Sequence, residues 1–269
     1  MRRRGGSRLK SVDTAIFYTY SESYSTEYEA VLDKAIVFGI PIPSPTERTR
    51  QNNKMVNLVN SGIFAKLDAY FEFAGYVEAI AFRKLDWKRL ILGDEINFPG
   101  IIWDNEGGTG NEVNTQTGGA FDLNYKSADY VNFQGLNGSI GFKTNFFSFY
   151  TIGGRESFNS NQVHIYAGNG GGAYNPRLLI NQSLNLPITP AVKTYISTNK
   201  DGKFRQFEDG LKIHEENRTS VGIMTHNLYA WGLNNGGTLF SGNGQLSNLF
   251  ISQGLTDSEA VTMDGILNL

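Results

Sequence analysis

Paired acidic side chains could carry out glycoside hydrolysis, because the retaining reaction needs two carboxyl groups about 5–5.5 Å apart. A Glu-x-Asp-x-x-Glu run would place its acids along one strand, where residues two apart share a face. The sequence contains no such run. Glu208 and Asp209 fall at a predicted hairpin, and Glu215 and Glu216 are neighbours that would point to opposite faces of a strand. We therefore expect no enzymatic activity and assign no catalytic residue.

A calcium-binding loop is suggested by the stretch from Ser197 to Glu208, which matches an EF-hand loop at its third, fifth, sixth and twelfth positions. Serine stands where aspartate is expected first, and both flanks resemble strands, whereas an EF-hand needs flanking helices. A β-turn at residues 199–202 explains the same residues. We assign no metal and no other cofactor, with calcium as the alternative. The histidines also lack the spacing of paired ligands: His164, His214 and His226.

Aromatic side chains are the remaining candidates for ligand binding. The flat faces of Trp and Tyr can stack on sugar rings while their polar tips stay in water. A short acidic loop at residues 104–106 follows one tryptophan, and a glycine-rich loop at residues 167–172 carries no phosphate-binding Lys-Ser/Thr. Packing of the tryptophans in a core and simple solvation of the acidic loop are the alternatives. The candidate glycan-binding residues are Trp103, Asp104, Asn105, Tyr166, Tyr174 and Trp231.

Positive charge is concentrated at the start of the sequence. The 24 basic and 26 acidic residues give a net charge of −2, but residues 1–10 hold five basic residues and no acid, which leaves −7 on the rest. A basic arm on an acidic body is typical of an interaction tail, and a frayed, solvated terminus is the alternative. No aromatic ladder with interleaved arginines occurs, so nucleic acid is not an expected partner. The candidate docking residues are Arg2, Arg3, Arg4, Arg8 and Lys10.

The composition favours a β-rich chain with many tight turns, since it includes 31 glycines and 13% aromatic residues. Cysteine is absent, which excludes disulfides, thiolate metal sites and cysteine nucleophiles. No apolar signal-peptide core precedes Asp13, and no apolar stretch is long enough to span a bilayer. We expect a soluble protein without membrane insertion that accumulates in the cytoplasm where it is made.

Residues 24–75 are predicted to form helices. Thr26 and Glu29 suggest a capping box, and apolar residues then follow at i, i+3 and i+4 spacing. The run Ser44-Pro45-Thr46-Glu47 supplies a serine cap, a proline at the first helical position and a glutamate at the third. Residues 63–71 are predicted to continue the helix until about Gly75.

Alternation of apolar and polar residues replaces the helical spacing after about residue 96. Asp209-Gly210 is the strongest hairpin signal, because a type I′ turn needs two residues with positive φ. Many short strands separated by turns indicate a sandwich or a barrel. The predicted strands are 15–20, 121–126, 139–146, 163–167, 177–181, 192–196, 203–208, 221–226 and 246–252.

The end of the sequence carries a family resemblance. A predicted strand ends at Gly254, and Thr256 with Glu259 then spells a capping box that opens a short helix. This ending resembles that of the concanavalin A-like (laminin-G-like) jelly rolls of tailed-phage virion proteins. The Gly-Ile-aromatic-x-Lys-Leu-Asp stretch at residues 62–68 is similar to the lead-in that precedes the β-domain in those proteins.

The resemblance covers about residues 45–269. It implies a mainly β chain: a concanavalin A-like jelly-roll sandwich with an N-terminal helical lead-in and a short C-terminal helix. The expected segments are a basic docking arm with a short strand at 1–23, the helical lead-in at 24–75 and the jelly roll at 76–269.

The function implied by the resemblance is that of a virion structural protein, such as a head fibre, a capsid decoration subunit or a tail-fibre component. Such a protein would assemble in the host bacterial cytoplasm as a homotrimer, bind capsid or tail proteins and adhere to host cell-surface glycans. One alternative is a carbohydrate-binding module of a secreted enzyme. A glycoside hydrolase of the laminarinase-like fold is a further alternative, which the missing carboxylate spacing disfavours.

Overall fold

The computed structural model describes residues 22–75, 79–96, 101–110, 119–130, 132–133, 136–155, 162–167, 174–178, 193–218 and 224–269. The docking arm and the predicted strand at 15–20 lie outside these residues. None of the helices in the described ranges has both the length and the apolar character required to cross a bilayer. The helices are α1 Thr26–Val37, α2 Pro45–Asn60, α3 Ile63–Lys66, α4 Ile80–Arg83 and α5 Asp257–Leu267, with a 3-10 turn at Ser127–Asp129.

The strands of the described residues are short, apart from two long ones near the middle and the end of the chain. They are β1 Leu67–Glu72, β2 Asp94–Ile96, β3 Ile101–Asp104, β4 Gly107–Gly110, β5 Ala120–Asp122, β6 Gly138–Arg155, β7 Gln162–Ala167, β8 Tyr174–Leu178, β9 Lys193–Lys200, β10 Lys203–Glu208, β11 Leu211–Asn217, β12 Tyr229–Ala230, β13 Gly232–Asn235, β14 Thr238–Ser241 and β15 Asn243–Ser252.

The long strand β6 links two sheets. In the first sheet the order is β11-β10-β9-β6-β15, and the other side of β15 pairs with β1 and with the β3–β4 hairpin. In the second sheet the order is β2-β5-β12-β6-β7-β8, with β13 and β14 attached at the end of β6. The two curled sheets form a jelly-roll-like sandwich, so the predicted mainly β fold is confirmed.

The central strands of the first sheet are buried on both faces, whereas its edge strand β11 is largely exposed. Its inner face joins the second sheet in a sandwich core that includes Phe71, Phe142 and Trp231. Its outer face carries Tyr70 and Phe250, which pack in a second apolar cluster with α1, α2 and α5. Strands of such a sheet need apolar residues on both faces, which a simple alternating pattern does not reveal.

Gly141 makes the packing of this outer face possible. It is the cross-strand partner of Phe250. A Cβ at residue 141 would lie 2.4 Å from the Phe250 ring and 2.9 Å from the backbone oxygen of Tyr195. Since real Cβ atoms do not approach other atoms this closely, only glycine leaves room for the ring.

The prediction of helix at residues 63–71 is wrong beyond Lys66. Residues 67–72 form β1, which pairs with β15 and is buried at every position. The hydrogen bonds and burial offered by the edge of β15 outweigh a local sequence that also suits a helix. Consequently β1, which belongs to the predicted lead-in segment, is a strand of the first sheet.

The predicted helix starts are largely confirmed. The Ser44 hydroxyl accepts a hydrogen bond from the Glu47 backbone N–H, and Thr256 and Glu259 form the full capping box. The cap of α1 differs from the prediction: it is Ser25, whose hydroxyl accepts from the Tyr28 N–H, and not Thr26. The helix therefore begins as expected but with its cap one residue earlier.

The predicted turns and strands agree with the structure in most places. Asp209 and Gly210 have φ values of 46° and 72° in the turn between β10 and β11. The predicted strand at 177–181 corresponds to β8, which lies a few residues earlier. Of the predicted strand at 221–226, residues 221–223 lie outside the described residues and 224–226 are not in a strand.

The capping box of α5 gives a prediction about stability. Thr256→Ala should lower the free energy of unfolding by about 1 kcal/mol, because the Glu259 backbone N–H loses the hydroxyl oxygen that accepts its hydrogen bond. Chemical denaturation followed by circular dichroism measures this. Thr262→Ala on the exposed side of α5 is the control, and an equal loss in both variants would contradict a specific role for the cap.

Candidate functional site

A recess of about 320 Å³, which we call the groove, lies where α2, β1, β15, β6 and the β3–β4 turn meet. Most of its lining side chains are charged or carry amides, which is typical of a site for a polar ligand. The lining residues are Arg50, Lys54, Glu72, Ala74, Glu106, Lys143, Asn145, Ser247, Asn248, Leu267 and Leu269.

The floor of the groove is a row across three strands. Glu72 of β1 is the cross-strand partner of Asn248 in β15, and Asn248 is in turn the partner of Lys143 in β6. Directly opposed residues have Cβ atoms about 4.5–5.5 Å apart on the same face. Strand register alone therefore brings a carboxylate, an amide and an ammonium group side by side.

Helix α2 supplies cations to one end of this row. The Lys54 ammonium lies 3.0 Å from both carboxylate oxygens of Glu72, and both side chains are only 1% exposed. The Arg50 guanidinium is 3.0 Å from Glu72 and 2.7 Å from Glu47. The Tyr70 hydroxyl donates a hydrogen bond of 2.8 Å to Glu72. Every oxygen of the buried carboxylate is thus compensated.

These contacts decide the charge of Glu72. Burial alone would raise the pKa of Glu72, but the charges of Lys54 and Arg50 and the hydrogen bonds from Lys54 and Tyr70 outweigh it, so the pKa is lowered. Burial raises the pKa of the Tyr70 hydroxyl well above its usual value. Glu72 is therefore ionised and Tyr70 is a neutral donor across the physiological pH range.

Lys143 differs from the cations of α2. No salt bridge joins its ammonium group to another residue in the described part of the chain. Burial lowers the pKa of the neighbouring Lys54, and the nearby charges of Arg50 and Lys143 add to this effect. Lys143 lines the groove and is only partly exposed. It is therefore the cation of the groove that remains available to a ligand.

Amide side chains line the groove in fixed orientations. The Asn248 carbonyl oxygen accepts from the Lys143 backbone N–H at 3.0 Å, and its amide donates to the Leu267 carbonyl at 3.1 Å. The Asn145 amide donates to the carboxylate of Glu106 and to the side chain of Gln245. Such side chains lose little rotamer freedom when a ligand binds.

The predicted acidic loop forms the turn of the β3–β4 hairpin. The Asp104 carboxylate accepts from the N–H groups of Glu106 and Gly107 at 2.9 and 3.0 Å, and from the Gln245 amide at 3.0–3.1 Å. The backbone oxygen of Asn105 accepts from the Gly75 N–H. Asp104 and Asn105 thus hold the turn in place, while Glu106 reaches the groove.

The predicted role of Trp231 in sugar stacking is wrong, because its side chain is fully buried in the sandwich core. Trp103 is partly exposed, but its ring packs against Trp231 at 5.7 Å between centroids and its N–H donates to Glu95 at 3.1 Å. Tyr166 and Tyr174 lie in β7 and β8, and their side chains are outside the described set. Neither predicted tryptophan is therefore among the residues that line the groove.

The sequence resembling an EF-hand forms the β9–β10 hairpin. Asp201 and Gly202 occupy its two-residue turn with φ values of 54° and 71°, and strands flank it on both sides. Within the described residues no group of three or more His, Cys, Asp or Glu side chains could hold a metal ion. The backbone at residues 201–202 confirms the predicted β-turn.

Sequence reasoning missed most groove residues. Lys143 and Asn145 occupy the polar positions of the predicted alternating strand at 139–146, so the sequence placed them correctly on one face. Their significance was hidden because the partner row on β1 was assigned to a helix. The sequence signal that could have indicated the groove was Glu72, an isolated acidic residue at the end of an apolar run.

Comparisons with known proteins concern the fold. No family model and no curated protein matches the sequence. Domain 4 of AbnA, a GH43 extracellular arabinanase from Geobacillus stearothermophilus solved in complex with arabinotriose, has a TM-score of 0.50 at 15% identity over 74% of this chain and 98% of that domain. A Trypanosoma rangeli sialidase mutant with trans-sialidase activity also has a TM-score of 0.50, at 11% identity over 83% of this chain and 40% of the sialidase. The CBM40 of Ruminococcus gnavus IT-sialidase has a TM-score of 0.41 at 19% identity over 54% of this chain and 92% of that domain.

The buried ion pair gives a prediction about stability and pH. Glu72→Gln should lower the free energy of unfolding by about 3–5 kcal/mol, because it leaves the buried Lys54 charge without a counter-charge. A folded-state pKa below the unfolded value stabilises the fold above the unfolded pKa, and this contribution is lost as the pH falls through the folded pKa. The acid limb of the stability curve should therefore be shallower in Glu72→Gln.

Urea denaturation at several pH values measures both effects. The matched control is Glu215→Gln, which removes a carboxylate from an exposed ion cluster. It should lower the free energy of unfolding much less than Glu72→Gln does. The double variant Lys54→Met with Glu72→Leu should recover most of the stability. Equal losses in Glu72→Gln and Glu215→Gln would contradict this account of the pair.

Proposed function

We propose that this chain is a non-catalytic carbohydrate-binding β-sandwich and that the groove is its sugar site. The observation that carries the proposal is the set of polar groups in one recess: the Lys143 ammonium beside the Glu106 carboxylate and the amides of Asn145 and Asn248, which neighbouring residues hold in place. Sugars present closely spaced hydroxyl groups that donate and accept hydrogen bonds. Side chains already held by neighbours can bind them at a small entropic cost.

The chemistry of the groove argues against hydrolysis. Glu72 and Glu106 are the carboxylates among its lining residues. A general acid must carry a proton near neutral pH, which requires a raised pKa, whereas the pKa of Glu72 is lowered. Glu72 is also enclosed by Lys54, Arg50 and Tyr70 and cannot reach a sugar as a nucleophile.

The fold neighbours support the binding proposal without identifying the sugar. Domain 4 of AbnA shares the sandwich fold and was solved with arabinotriose. The charges of this groove suggest that sugars with either hydroxyl or carboxylate groups can be bound, since Lys143 is available to both.

Binding should be tested first on an array of neutral and acidic glycans and then by calorimetry on the glycans that bind. Lys143→Met should weaken binding by about tenfold or more, the loss of one charge-assisted hydrogen bond. Lys126→Met, outside the groove, is the control and should bind normally. The same samples should release no reducing ends from laminarin or xylan. An array without any bound glycan, or equal affinity in both variants, would contradict the proposal.

We further propose, on the resemblance to tailed-phage virion proteins, that the sandwich is displayed on a particle as a homotrimer. The basic arm would then dock on an acidic surface of a capsid or tail protein through contacts that weaken with salt. The specific support is the charge distribution, with five basic residues and no acid in residues 1–10.

Deletion of residues 1–20 tests the docking arm. The truncated protein should keep its circular dichroism spectrum and its oligomeric state by light scattering, because both apolar cores are formed by residues from Tyr28 onward. It should fail to join particles when co-expressed with the phage structural genes. Normal incorporation of the truncated subunit would contradict the docking role.

A further inference from the structure

A second cavity of about 430 Å³ lies beside the groove, between the end of α2 and the outer side of α5. Its lining combines amide and hydroxyl groups with an apolar floor at Ile266, and it contains no charged side chain. The lining residues are Asn57, Asn60, Ser61, Thr262, Gly265, Ile266 and Leu269.

The two cavities follow one face of α2. Arg50 and Lys54 line the groove, whereas Asn57 and Ser61 line the second cavity. Spacings of four, three and four residues keep these positions on a single helical stripe. Leu269 lines both cavities, so they meet there.

The combined recess is elongated along α2, and its two ends have different linings. From Arg50 to Ser61 the helix rises about 16 Å, at 1.5 Å per residue. The groove end offers charged and amide groups, and the far end offers neutral hydrogen-bonding groups above the buried side chain of Ile266. A length of this kind suits several linked sugar rings better than a single ring.

We propose that the groove and the second cavity form one extended site for a linear oligosaccharide. A sugar unit with the more polar substituents lies at Lys143, and a neutral unit covers Ile266 beside Asn60 and Thr262. This inference rests on the proposed function, since it assigns the class of ligand to the same groove.

Gly265 allows the far end to be blocked without disturbing the near end. A Cβ at this position meets no heavy atom within 4 Å, and Gly265 lines the second cavity, so a leucine there is expected to occupy part of that cavity. Glycine is also a weak helix former, so Gly265→Leu should not destabilise α5. Val261→Leu, on the exposed part of the same helix and outside both cavities, is the matched control.

The probes are two series measured by calorimetry: arabinose with its linear oligomers of two to four units, and galacturonic acid with its oligomers of two to four units. In at least one series the affinity should rise by about tenfold between one and three units, the gain from one or two more hydrogen bonds. Gly265→Leu should abolish this rise while leaving the single unit unaffected. Lys143→Met should weaken every member of the series, and Val261→Leu none.

The outcomes separate this inference from the proposed function. Binding that does not depend on length, or a length dependence that survives in Gly265→Leu, would overturn the extended site but leave the groove as a sugar site. Array binding without binding of either series would overturn the assignment to linear oligosaccharides of these types. Absence of binding to the array as well would overturn both proposals.

Discussion

Burial of the central strands of the first sheet on both faces is the constraint on which the rest of the structure depends. Side chains of β1 must alternate between the sandwich core, where Phe71 lies, and the helical layer, where Tyr70 lies. The next outward position is Glu72, a carboxylate that has no access to water. An ionised group in such a place is tolerated only with close counter-charges, so α2 must bring Lys54 against it. The helices are therefore part of the folding unit of the sheet.

The same constraint produces the groove. Where the apolar packing between α2, α5 and the sheet ends, the row of Glu72, Asn248 and Lys143 continues towards solvent. The carboxylate of Glu72 is paired with the cations of Lys54 and Arg50. The Lys143 ammonium forms no salt bridge within the described residues. A polar recess thus arises at the border of a buried layer, and its orientation is set by strand register.

Local sequence signals correctly predicted the structural features that depend on residues close together in the chain. The caps at Ser44 and Thr256, the Asp209-Gly210 turn and the alternation at 139–146 all reflect short-range physics, and each agrees with the structure. The fate of residues 67–72 depends on β15, far away in the sequence, and could not be inferred from local spacing. Trp231 was misassigned for a related reason, since its burial depends on small residues such as Gly108 and Gly110, which leave room for its indole.

The pairing of β1 with β15 has a consequence for the way the chain must fold during synthesis. Lys66, the residue before β1, and Glu259, in the helix that follows β15, are in contact although 193 residues separate them. Ribosomes add about 5–20 residues per second, so β1 waits about 10–40 s for its neighbour. Throughout this interval its backbone is an open strand edge, able to pair with any other nascent chain. Contacts of such high sequence separation also form slowly once the partner exists. Residues of α1 and α2 pack against β1 in the finished fold, and all three are synthesised long before β15. Packing of these helices on β1 before β15 is made would cover one face of the strand during the wait.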